Sequence, residues 1–263
     1  TRDDLFADAL AGTPLAVEAD GPLLTTSPTG LDEDVLAEIQ RVLPEGGEVL
    51  VLGGPDALPA SVDEDLSDAG FEPRRVFGET RYDTSVEIAE ELGDPELQLL
   101  TTGLDFADAL TAGTAAAARG GAVLLTEGEA PWASVTAYLD ANAGRRVAIG
   151  GPSAAAYPEA ESMVGDTRDH TAVMVAEEFF DAPTHVGVAR RDLFADALAG
   201  GAFMARLDGP LVLTDTAALP DVTGAHLCDV ADGLRRATVF GGPVAVEDAV
   251  VGTVRDRVAG VGC

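Results

Sequence analysis

The sequence predicts an α/β fold made of three tandem repeats, each a small unit with a parallel sheet. Three observations carry that prediction. Phe-Ala-Asp-Ala-Leu occurs at 6–10, 106–110 and 194–198. Each copy is followed by a helical stretch and an apolar run ending in Thr: Gly21–Thr25, Gly121–Thr126 and Gly209–Thr214. Each unit then reaches a β-like run closed by Gly-Gly-Pro, at 53–55, 150–152 and 241–243. Asp8 and Asp108 stand 100 residues apart, and Asp108 and Asp196 stand 88 apart. Such periods are too long for a solenoid repeat of roughly 20–50 residues, so each copy is a domain-sized unit.

The middle copy shows the elements most clearly. Leu97–Thr101 reads as a buried strand, and 106–119 as an Ala-rich helix with Phe106 and Leu110 on one face. Strand 122–126, helix 132–141 behind Pro131, and strand 146–150 follow, Pro131 suiting a first helical turn. Strands that are continuously apolar are buried on both faces, as in a parallel sheet covered by helices. Between units, Arg75–Ser85 leads into a helix at 86–92, and a looser counterpart, Gly165–Thr171, leads into a helix at 172–179. The resulting division is 1–74, 75–164 and 165–263, with no such lead-in ahead of the first motif; the first unit is expected to lack an opening strand and helix that was cleaved, is disordered, or lies outside the sequence. No Ser/Pro-rich linker separates the units, which predicts that they pack together.

Composition narrows function. The 263 residues are 46% hydrophobic, enough for sizeable cores, and no apolar run reaches the roughly 18–20 residues that span a bilayer. There are 46 acidic residues against 16 basic ones, all Arg, for a net charge of −30. This surface repels nucleic-acid phosphates and anionic lipid, so neither nucleic-acid binding nor membrane insertion is expected. It suits a saline medium, where a Debye length of about 3 Å at 1 M salt removes self-repulsion. Gathering divalent cations is a second reading, and the absence of Lys with a single Asn, Asn142, also fits a biased genome. Cys228 and Cys263 are the only thiols; the sequence leaves their pairing open.

The pattern Arg-x-x-Gly-x-x-Arg-Tyr-x-Thr-Ser at 75–85, with the Phe-Ala-Asp-Ala-Leu copies, the strands ending in Leu-Thr and the Gly-Gly-Pro closures, resembles the cell wall-binding repeat 2 family over essentially the whole chain. The resemblance implies flavodoxin-like or Toprim-like repeats packed as a pseudo-threefold trimer. It also implies a non-catalytic module of secreted and surface-layer proteins, held non-covalently to a cell-wall polysaccharide or other envelope polymer, an anionic one in the best understood cases. The location implied is extracellular, at the cell wall, with a covalently linked domain of unknown kind on either side. Arg168-Asp169-His170 departs from the family's Arg-Tyr pattern.

The recurrent residues give the candidate site. Asp8, Asp108 and Asp196 are placed in a first helical turn at the carboxyl end of a strand, where a carboxylate meets free N–H groups and open α/β sheets bind ligands. Their role is structural or ligand-facing; one Asp with no partner is poor acid–base machinery. The double glycines form a tight turn and no dinucleotide fingerprint. Arg81 and Arg168 start helices and either pair with acids across repeats or meet an anionic polymer, with Tyr82 beside the first; Arg191 invites the same choice. Thr25, Thr126 and Thr214 offer hydroxyls at the same edge or cap the next turn. No nucleophile elbow, zinc motif or Cys-x-x-Cys is present, and His170, His185 and His226 are scattered. No cofactor or resident metal is expected, with Ca²⁺ or Mg²⁺ entering only as bridging ions. A wall-glycan hydrolase or transferase using carboxylates between repeats, and a surface spacer, are the competing functions.

Overall fold

The computed structural model describes residues 1–263. Its elements are α1 (Gly12–Glu18), α2 (Glu33–Val42), β1 (Glu48–Leu52), α3 (Ser61–Asp68) and β2 (Glu72–Val76), then α4 (Arg81–Glu91), β3 (Leu97–Thr102), α5 (Ala107–Ala118), β4 (Ala122–Thr126), α6 (Ala133–Ala141), β5 (Arg145–Ile149), α7 (Gly151–Ala156) and β6 (Glu161–Met163). The chain continues with α8 (Arg168–Phe179), β7 (His185–Arg190), α9 (Ala195–Arg206), β8 (Leu211–Thr214), α10 (Asp221–Asp229), β9 (Arg236–Val239) and α11 (Asp248–Val258).

Every strand pair is parallel. The middle sheet runs β4-β3-β5-β6, and the third β8-β7-β9. In chain order the middle sheet is 2-1-3-4, the flavodoxin-like arrangement with helices on both faces. All five residues of β4 are buried, as its unbroken apolar sequence requires. In the first unit β1 pairs with β2, and a single parallel bridge, Arg2 to Thr26, stands where β3 pairs with β4 in the second.

The joins between units follow one rule. β2 completes the sheet of the first unit, and the helix after it, α4, packs on β4 of the second; β6 completes the second sheet, and α8 packs on β8 of the third. Each connection thus stitches two neighbours, and the three units form one body. α1, α5 and α9 pack against one another along a shared pseudo-threefold axis, with Leu10, Leu110 and Leu198 in one continuous apolar core. At one end Phe6, Phe106 and Phe194 form an edge-to-face triangle with centroids 5.4, 5.7 and 5.9 Å apart. Each such pair contributes ~0.5–1.5 kcal/mol beyond its buried area. The helices approach closely because Gly201 is bare: a Cβ there would stand 2.7 Å from Thr114 Oγ1.

The structure moves some local boundaries. The first Phe-Ala-Asp-Ala-Leu copy lies in turns ahead of α1, so Asp8, unlike Asp108 and Asp196, is not in a first helical turn. Pro14 explains this: it cannot donate to Leu10, and its ring opposes a helix running through that carbonyl. Pro131 lies outside α6, one residue before the N-cap Trp132. α4 and α8 begin at Arg81 and Arg168, earlier than 86 and 172, because Thr80 and Thr167 cap them; Thr80 and Asp83 form a reciprocal capping box. Cys228 and Cys263 are disulfide-bonded, Cα atoms 5.6 Å apart, tying α10 to the segment after α11.

Candidate binding seams between the units

The two most recurrent motifs meet in every copy. Gly53, Gly150 and Gly241 close their strands with φ of +118°, +90° and +106°, a conformation that favours glycine. A Cβ would stand 3.0 Å from Asp8 Oδ2 at Gly53 and 2.8 Å from Asp196 Oδ2 at Gly241, and would overlap Asp108 Oδ2 at Gly150. The motif carboxylate therefore packs on the first glycine of Gly-Gly-Pro, at the carboxyl ends of the strands. Asp8 also accepts a hydrogen bond from Thr84 Oγ1 of α4 at 2.9 Å, across the seam between the first two units. Burial pushes the Asp108 carboxyl up to about 6, with the charge of Asp105 adding to the effect and Arg168 opposing it.

Arg81 and Arg168 occupy matching places at the heads of α4 and α8. Arg81 Nη1 donates to the Gly103 carbonyl at 2.7 Å, and its guanidinium lies 5.6 Å from the centre of the Phe6 ring. Arg168 Nη1 donates to the Arg191 carbonyl at 3.1 Å, and its Nη2 to Asp105 Oδ2 at 3.1 Å. Arg191 is itself paired with Asp169 and Asp215, both at 2.5 Å. These contacts explain the departure at Asp169. In the second unit Tyr82 packs over the bare Gly103 and stacks on Trp132, centroids 4.5 Å apart. In the third, Asp169 stands in the place of Tyr82 and Arg191 in that of Gly103, so an ion pair replaces an aromatic contact.

The threonine hydroxyls point into local turns. Thr126 Oγ1 donates to the Gly128 carbonyl at 2.8 Å, and Thr214 Oγ1 to Asp215 and Ala218 carbonyls, both at 3.2 Å. Their counterpart in the first unit is Thr26, one residue beyond Thr25: it holds the bridge to Arg2, and its Oγ1 donates to the Gly30 carbonyl at 3.1 Å. Thr25 is half-buried beside it.

The structure thus brings Asp8 and Arg81 to the seam between units one and two, and Asp108 and Arg168 to that between two and three, whereas the contacts of Tyr82 with Gly103 and Trp132 and those of Arg191 with Asp169 and Asp215 lie inside their own units. Asp196 lies at the corresponding edge of the third unit. Sequence reasoning missed Thr84, Gly103 and Asp105. Thr84 belongs to the quoted Arg-Tyr-x-Thr motif and carried a signal; Gly103 and Asp105 gain their roles only from contacts distant in sequence. No group of three or more His, Cys, Asp or Glu side chains converges in a way that would hold a metal ion. No helix is long and apolar enough to cross a membrane.

Comparison with known proteins agrees with this geometry. The model of the family described as cell wall binding domain 2 matches residues 1–63, 75–157 and 163–251. The N-acetylmuramoyl-L-alanine amidase LytC of Bacillus subtilis is 23% identical over 262 residues, covering 97% of this chain and 52% of the amidase. The amidase enhancer of the same organism is 35% identical over 124 residues, covering 47% of this chain and 17% of the enhancer. The chain therefore spans about half of one of these relatives and a smaller share of the other. Two proteins of Clostridium difficile share the fold: Cwp8 (TM-score 0.85, 22% identity, 99% of this chain and 48% of that one) and Cwp6 (TM-score 0.88, 21% identity, 98% and 43%). With all three repeats matched in order, the chain belongs to the cell wall binding domain 2 family.

Proposed function

We propose that this chain is a non-catalytic anchoring module that attaches a secreted or surface protein to a polymer of the cell wall, and that the polymer lies in the seams between its units. One observation carries the reading. The motif aspartates Asp8 and Asp108 and the helix-leading arginines Arg81 and Arg168 gather at the joins, on the edge where open α/β sheets bind ligands. Membership of a cell wall binding family supports an extracellular, wall-associated location. A chain of net charge −30 approaches an anionic polymer only through local arginines, bridging Ca²⁺ or Mg²⁺, or strong screening.

The competing reading is a wall-glycan hydrolase or transferase, and one feature favours it: Asp108, with a carboxyl raised to about 6, lies near Asp105. A protonated acid beside a carboxylate is the pair such chemistry uses. Asp105, however, is engaged by Arg168. Incubation with purified cell walls separates the readings: the anchor predicts retention with no loss of polymer mass, the enzyme predicts release of soluble sugars, and a spacer predicts no retention. Repeating the incubation in EDTA at moderate salt tests the ions; weaker retention supports a cation bridge, and equal retention removes it from the account.

A further inference from the structure

The two stitched seams are built alike but charged differently. In both, the arginine at the head of the arriving helix donates to the carbonyl that follows the central strand, Gly103 or Arg191. The difference lies in one residue. The position before the motif phenylalanine is Leu5 in the first unit and Asp105 in the second. Arg168 is therefore engaged by Asp105, and its neighbours Arg190 and Arg191 pair with Asp192, Asp169 and Asp215. Arg81 forms no such ion pair: one arm holds the Gly103 carbonyl, the plane rests on Phe6, and Leu5 offers no charge. Its remaining N–H groups are those with which a guanidinium grips an oxyanion.

Resting on the anchoring function proposed above, we infer that Asp105 is a built-in counter-anion that closes the seam between units two and three to anionic ligands. The seam between units one and two, through Arg81, is then the one that takes a phosphate or carboxylate group of the wall polymer. An oxyanion entering the second seam has to displace Asp105 from Arg168 and then sit beside two carboxylates, Asp105 and Asp108. Like charges at that range repel strongly away from bulk water. In the first seam nothing is displaced: the arginine is already oriented by a carbonyl and a ring, and the one motif carboxylate there, Asp8, is engaged by Thr84.

The test is calorimetric titration of the full chain with a soluble anionic wall polymer of defined phosphate content, and in parallel with the same polymer stripped of phosphate. Arg81→Gln and Leu5→Asp are each expected to weaken binding by about tenfold or more, the scale of a lost charge-assisted hydrogen bond. Asp105→Leu is expected to add a second site per chain. An unaffected Arg81→Gln variant, or an Asp105→Leu variant with the wild-type stoichiometry, overturns the assignment. Circular dichroism of each variant confirms the fold, and retention of Arg81→Lys above Arg81→Gln separates charge from lost packing. Failure of the unmodified chain to bind any wall polymer contradicts the anchoring function itself. Binding that survives phosphate stripping and is still lost in Arg81→Gln identifies carboxylates as the contacted groups.

Discussion

At Gly150 the backbone has φ +90°, and the space a Cβ needs is filled by the Asp108 carboxylate. Gly150→Ala is expected to lose roughly 2–4 kcal/mol in urea unfolding, from left-handed strain and overpacking together. Gly242, in the second position of a Gly-Gly-Pro, has open space around its Cβ direction, and Gly242→Ala serves as the tolerated control. Asp108 titrates in a way that can be read directly. Its carboxyl is raised from 3.8 to about 6, so the folded chain holds this proton to higher pH than the unfolded chain. The group's contribution to stability therefore falls as pH rises from about 4 to about 6, and stays low above that. Asp108→Asn removes this loss: its stability relative to wild type should improve across that window by up to ~3 kcal/mol, whereas an offset independent of pH would contradict the shift. His226 runs the other way. Burial lowers its pKa, although Glu177 opposes the shift, so its contribution is present near neutrality and is lost as pH falls below about 6.5.

Elements of the middle unit were legible because their apolar runs are buried on both faces; β3, α5, β4, α6 and β5 lie within a residue or so of the positions read from Leu97, Phe106, Ala122, Trp132 and Arg146. Less legible were the helix starts, where a single cap or proline outweighs periodicity: Thr80 and Thr167 lengthen α4 and α8, and Pro14 shortens α1. The candidate site was half legible. Its motif residues repeat, so they stood out, but their partners are set by closure of the three units. Thr84 reaches Asp8 over 76 residues of chain, and Arg168 reaches Asp105 over 63. Such pairings carry no local pattern. The disulfide belongs to this scale too, because Cys228 and Cys263 bracket β9 and α11 across a separation of 35 residues. Replacing both with Ser is expected to cost roughly 2–4 kcal/mol by loop-closure entropy, and hydrogen exchange should show the loss concentrated in α10 and α11.

As a whole, the molecule is a closed arrangement of three like units whose inner helices share one core and whose joins exchange a strand and a helix. Its net charge of −30 opposes that compactness. The thermal midpoint should therefore rise with NaCl toward 1 M as self-repulsion is screened; a midpoint that falls would mean that the arginine ion pairs outweigh the repulsion. The same closure gives the seams their meaning, since Arg81, held by the Gly103 carbonyl of its own unit, meets Phe6 only when the first two units are docked. Hydrogen exchange of the intact chain, with and without soluble wall polymer, tests this most directly. The account predicts new protection at Gly103 and in the first turn of α4, with the outward faces of α2 and α11 unchanged. Protection confined to those outward faces, or none at bound saturation, would contradict the claim that the polymer lies between the units.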